Sequence, residues 1–166
     1  NLKQAAKTIN FLTEHGISSY GELESKLTAL SARRDTAHAE IKRIESRSAE
    51  LALVMKHAGT YRQLKPLYDR YRKSNDKEKF LRGHESEIIL FEAAARELKR
   101  LGTVPLPTTE SMKTELANLN AEKERLLAEY KAARTEAQEY DTVKQNVDAL
   151  LTVPKEQEQQ RRHELE

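Results

Sequence analysis

The sequence predicts an all-α fold: a long antiparallel coiled-coil helical hairpin with a small helical head and a short N-terminal helix. Three observations lead there. Between Tyr20 and Ala58 the apolar residues recur at alternating spacings of three and four. Tyr20, Leu27, Ile41 and Met55 take one seam position, Leu23, Leu30, Ala37, Ile44, Leu51 and Ala58 take the other, and Arg34 and Ser48 interrupt the first set. A seam this narrow cannot bury itself, so a helix of about 58 Å at 1.5 Å per residue needs a partner of matching length and period. The second observation supplies it. Met112, Leu119, Leu126, Ala133, Tyr140 and Val147, with Leu116, Tyr130, Ala137 and Leu151, repeat the pattern, and Lys123 and Lys144 interrupt it. The third is composition: 37% hydrophobic, 5% aromatic and 34% charged residues leave too little apolar mass for a thick core and suit a thin helical body.

The elements follow in order. Leu2, Ala5, Ala6, Ile9 and Leu12 form one face of a short helix within 1–16, and Gly16 is a stop in the left-handed conformation. Ser19 precedes Glu22 at capping-box spacing and opens the first long helix, 19–58. A helical head spans 60–102. In it Tyr61, Leu64, Tyr68 and Tyr71 share a face, and Pro66 is expected to kink or restart the helix. Ser74, Asn75 and Asp76 read as a turn and cap before a segment with Phe80 and Leu81. A further helix from about Glu85 to Leu101 carries the most apolar run and ends at Gly102. Pro105 and Pro107 mark an extended connector, Thr108 or Thr109 caps the second long helix, 108–152, and Pro154 is expected to stop it before a polar tail, 153–166. The whole reads as one elongated domain. Because it opens at Asn1 already in a helical pattern, it reads as a piece of a longer polypeptide.

The register of the hairpin has two solutions. In the favoured one Tyr20 faces Val147, Ala37 faces Tyr130, Leu51 faces Leu116 and Arg34 lies over Ala133, so large residues meet small ones at the middle layers. A slip of one heptad puts Arg34 near Tyr140 and Leu23 near Leu151. Pairing within the chain implies a monomer.

Cysteine is absent, which excludes disulfides and thiolate metal sites, and no apolar run approaches the length that spans a bilayer. A cytoplasmic protein without membrane insertion fits both. The five histidines show no two-histidine spacing with a carboxylate on a common face, and glycine-rich phosphate loops are lacking, so no catalytic, cofactor or metal residue is assigned. Net charge is only +2, yet between Lys56 and His84 nine basic residues stand against three acidic ones. Arg62, Lys65, Arg70, Arg72, Lys73, Lys77, Lys79 and Arg82 are therefore the candidate phosphate contacts, with Tyr61, Tyr68 and Tyr71 as stacking groups for unpaired bases. A packed tyrosine stripe with its hydroxyls at the rim is the plainer reading of the same aromatics.

Some of these residues carry a resemblance. Asn10-Phe11-Leu12-Thr13-Glu14-His15-Gly16-Ile17, Gly59-Thr60-Tyr61, Tyr68 with Tyr71-Arg72, Lys79-Phe80, His84, Leu101-Gly102 and Leu106-Pro107 resemble the C-terminal helical region of relaxase (mobilisation) proteins of conjugative elements from Gram-positive gut bacteria. The resemblance implies a parent enzyme that nicks one DNA strand at a transfer origin with a tyrosine nucleophile and a histidine-bound divalent metal, both in a separate N-terminal domain. For this chain it implies a non-catalytic accessory region that contacts single-stranded or transfer-origin DNA, or proteins of the transfer machinery. The alternative is a structural coiled-coil spacer or protein-interaction module without DNA binding.

Overall fold

A computed structural model describes residues 1–165, with residues 153–158 described by their backbone alone. The fold is all-α: α1 (Leu2–Glu14), α2 (Tyr20–Lys73), α3 (Lys77–Arg100) and α4 (Thr109–Glu164). Contacts group the chain into two compact units, residues 1–41 with 125–166 and residues 42–124, and α2 and α4 contribute to both. A single domain was the expectation from sequence.

Helix boundaries fall where backbone chemistry places them. The Asn1 side chain accepts the Lys3 N–H at 3.0 Å and caps α1. At the other end Gly16 sits at φ 65°, and the Ile17 N–H returns to Leu12 O at 2.9 Å, so the last carbonyls of α1 are satisfied. Ser19 Oγ accepts the Glu22 N–H at 3.1 Å, half of the expected capping box. The Glu22 carboxylate takes the N–H of Ser18 at 2.8 Å, and this bond holds its pKa below the usual range. Asp76 caps α3 by accepting the Lys79 N–H at 3.1 Å, and Thr108 caps α4 by accepting the Ser111 N–H at 3.1 Å. Gly102, at φ 69°, closes α3 as expected.

Two expected interruptions do not occur. Long helix 19–58 does not end near Gly59: α2 runs on to Lys73 with Pro66 inside it. Pro66 is exposed, so the Arg62 carbonyl that loses its intrahelical donor can turn to water, and half-buried Tyr61, Leu64, Tyr68 and Tyr71 hold both flanks in place. Likewise α4 continues to Glu164, past the stop expected at Pro154, so the segment read as a tail is helical over most of its length; Glu166 lies outside the described residues. The break within the chain's third helix comes instead at His84, whose φ −137° and ψ 27° bend α3 just after Gly83. That bend falls where the sequence separated a Phe80–Leu81 segment from a helix beginning near Glu85.

In the unit formed by 1–41 and 125–166, α2 and α4 run antiparallel. Tyr20 OH donates to Asp148 Oδ1 at 2.6 Å, Arg33 Nε meets Glu129 Oε1 at 3.3 Å, and the His38 and Tyr130 rings lie 5.8 Å apart. These neighbours match the register in which Tyr20 faces Val147. The slipped register fails, because Leu23 is 1% exposed while Leu151, its partner there, is 58% exposed. Leu23, Leu30, Ala137, Tyr140 and Val143 form the core, with Phe11 and Leu12 of α1 against it. Phe11 meets Tyr140 edge-on at 5.0 Å and stacks on His15 at 4.0 Å. Val143 is off the heptad seam, and α1 is what buries it. A polar latch accompanies this packing: buried Thr8 donates to Gln4 O at 2.9 Å, and Gln4 Nε2 donates to Asn146 Oδ1 at 2.8 Å.

In the unit 42–124 the same antiparallel order holds, with Lys123 Nζ 3.6 Å from Glu45 Oε1 and Arg47 bidentate to Glu115 at 2.7 and 3.1 Å. Ile44, Leu51, Val54 and Ala58 of α2, Ile88, Phe91, Ala94 and Leu98 of α3, and Met112 and Leu119 of α4 are buried. Ser48 occupies a seam position, and its Oγ is buried without a hydrogen-bond partner among the described residues.

Two outcomes follow from this packing. Ser48→Ala removes a desolvated, unpartnered hydroxyl and is expected to raise stability by about 1 kcal/mol, read as a higher urea midpoint at unchanged m. The Arg47 guanidinium holds the Glu115 carboxyl below its usual range. Its stabilisation is therefore fully present above the unfolded carboxylate pKa of about 4.3 and is lost as pH falls through the lower folded value. Glu115→Gln should flatten that acid limb of the stability profile relative to the parent, an effect kept small because both side chains are about two-fifths exposed.

Candidate nucleic-acid interface

The eight candidate phosphate contacts lie on the C-terminal part of α2 and the first turns of α3, separated by the Ser74–Asp76 turn, and all eight are exposed. They do not behave alike. Arg62 is committed to the fold: it donates to Thr109 Oγ1 at 2.8 Å and to the carbonyl of Pro107, tying α2 to the connector before α4. Lys65 pairs with Asp69 one turn on, at 3.1 Å. The Arg70 guanidinium lies 6.0 Å from the centre of the Phe80 ring. The side chains of Arg72, Lys73, Lys77, Lys79 and Arg82 have no ion-pair or hydrogen-bond partner among the described residues. Of the acids between Lys56 and His84, Asp69 is taken by Lys65 and Asp76 by the α3 cap, which leaves Glu78; Glu85 follows just after, and Glu92 lines a shallow pocket together with Arg72. Five cations without a partner among the described residues, against Glu78, Glu85 and Glu92, leave the α2–α3 corner locally cationic in a chain of net charge +2.

The tyrosines are packed. Phe91 of α3 stacks with Tyr61 at 4.8 Å and with Tyr68 at 4.3 Å, both nearly parallel to it. Tyr61 and Tyr68 are two turns apart on one face of α2, a spacing that lets a ring from the neighbouring helix enter between them. Tyr71 leans on Tyr68 at 5.8 Å and on Phe80 at 6.0 Å, and Phe80 in turn contacts His84 at 4.7 Å. All three tyrosines are half-buried. The reading of them as a packed stripe therefore describes them better than the reading as stacking groups for bases. Sequence reasoning missed the rings that occupy them, Phe80 and Phe91. The available signal was the aromatic at the centre of the most apolar run, opposite a two-turn tyrosine pair.

The connector anchored by Arg62 walls one side of an apolar groove of about 520 Å³, lined by Tyr61, Leu98, Lys99, Val104 and Leu106 among others. Among the described residues no group of three or more His, Asp or Glu side chains is placed to hold a metal ion, and no helix is long and apolar enough to cross a membrane. No protein-family model, curated protein or solved structure matches the chain.

Arg62 is thus separable from the cations around it. Arg62→Ala should accelerate amide exchange in residues 103–108, which its two hydrogen bonds restrain, while leaving the exchange of α3 core amides such as Phe91 and Leu98 unchanged. Equal acceleration in both segments would mean that Arg62 supports the whole unit rather than the connector.

Proposed function

We propose that this chain is a non-catalytic accessory region of a relaxase-type DNA-processing protein, and that its α2–α3 corner contacts nucleic acid through the phosphates. The observation that carries the contact is the set of five exposed cations, Arg72, Lys73, Lys77, Lys79 and Arg82, which have no ion-pair or hydrogen-bond partner among the described residues. Cations already paired gain little from a phosphate, because binding must first break the existing pair; unpaired ones release condensed counterions directly. The segments around Asn10–Ile17, Tyr68–Arg72 and Lys79–Phe80 support the relaxase parent through their resemblance to that family. In such a parent, strand nicking by a tyrosine and a divalent metal belongs to a separate domain in the cytoplasm, and the helical region positions DNA or a transfer-machinery protein.

The test is titration of fluorescent DNA with the parent chain and with a variant carrying Arg72→Glu, Lys73→Glu and Arg82→Glu, across a range of salt. All three positions are exposed and unpaired, so the variant should retain its helical content and thermal midpoint. It should lose affinity at low salt, with a log–log salt slope shallower by about 3. Unchanged affinity and slope would remove this surface and favour the spacer reading.

A further inference from the structure

We infer that the α2–α3 corner takes duplex nucleic acid in preference to a single strand, reading the double line of phosphates and not the bases. The inference rests on the nucleic-acid reading above and narrows its ligand. Proteins that hold single strands combine a cationic track with aromatic faces on which unstacked bases lie, and each such face contributes about 1–3 kcal/mol per base. Here the aromatic half of that arrangement is already engaged. Phe91 holds one face of Tyr61 and one of Tyr68, and Tyr71 lies against both Tyr68 and Phe80. Phe80 is itself flanked by His84 and the Arg70 guanidinium. Freeing a ring for a base would dismantle the contact between α2 and α3 that positions the cations.

The exposed side chains at the corner are mainly charged, while Tyr71 and Phe80 are half-buried. Arg72 and Lys73 close α2, Lys77, Lys79 and Arg82 open α3, and a three-residue turn keeps the two groups together. A surface that offers charge without stacking is drawn to the polyanion with more charge per length. Duplex DNA presents a phosphate about every 1.7 Å along its axis, twice the density of one of its strands, and releases more counterion per contact.

The experiment compares a short DNA duplex with each of its separated strands, using the 166-residue chain and reading both anisotropy and intrinsic tyrosine fluorescence. The chain has no Trp, so tyrosine emission is observed directly. The expected result is tighter binding of the duplex, a log–log salt slope about 1.3-fold steeper than for the strands, and tyrosine emission unchanged by either. Equal or tighter binding of the single strands, or quenching of tyrosine emission by them, would overturn the duplex preference while leaving the nucleic-acid reading in place. Binding of neither would overturn both.

Discussion

Everything in this structure depends on the narrowness of the heptad stripe on α2. One of its two seam positions places Leu23, Leu30, Ala37, Ile44 and Leu51 within a few per cent of full enclosure, and the other buries Ile41, yet the stripe covers too little of the helix to do so alone. A second stripe of equal period is a requirement, and α4 meets it. Because apolar contact is nondirectional, the stripes alone tolerate a heptad slip. Charged and polar flanks remove that freedom. Arg47 grips Glu115 with two of its nitrogens, Lys123 faces Glu45, and Tyr20 reaches Asp148. Each pair is worth little as an exposed interaction, but each is lost in the slipped alignment.

Where a third helix joins, burial spreads beyond the seam. Val143 is covered by α1 and Val54 is buried in the unit that contains α3. The two additions differ in chemistry. Helix α1 docks through an aromatic trio, Phe11, His15 and Tyr140, beside a polar latch of Gln4, Thr8 and Asn146. Helix α3 docks by inserting Phe91 between two tyrosines. Both use rings at a helix crossing, where flat side chains fill space that branched aliphatics leave open.

The heptad period made the long helices, their antiparallel pairing and the favoured register legible from sequence, because each rests on a repeat sampled many times. Caps were legible for a different reason: Ser19, Asp76, Thr108, Gly16 and Gly102 act within a few residues of themselves. Single-residue breakers were not. Pro66 and Pro154 look like stops when judged locally, but helical turns on both sides outweigh one missing hydrogen bond, and at Pro66 the proline is exposed, so the freed carbonyl can turn to water. The candidate site was half legible. Basic residues were found by counting, whereas which of them are free depends on partners distant in sequence. Thr109 and Pro107 claim Arg62 from more than forty positions away, and Phe91 claims the tyrosines from another helix.

The bend at His84 has a consequence for how such a surface can evolve. Lys77, Lys79 and Arg82 lie before it, and the buried residues Ile88, Phe91, Ala94 and Leu98 lie after it. The exposed cations sit on the stretch before the bend, beside half-buried Phe80 and Leu81, and the buried core residues of α3 sit on the stretch after it. Substitutions at Lys77, Lys79 or Arg82 alter the surface field without asking the second stretch to repack. Binding strength can therefore drift under selection, by gain or loss of single lysines and arginines, at nearly constant foldability.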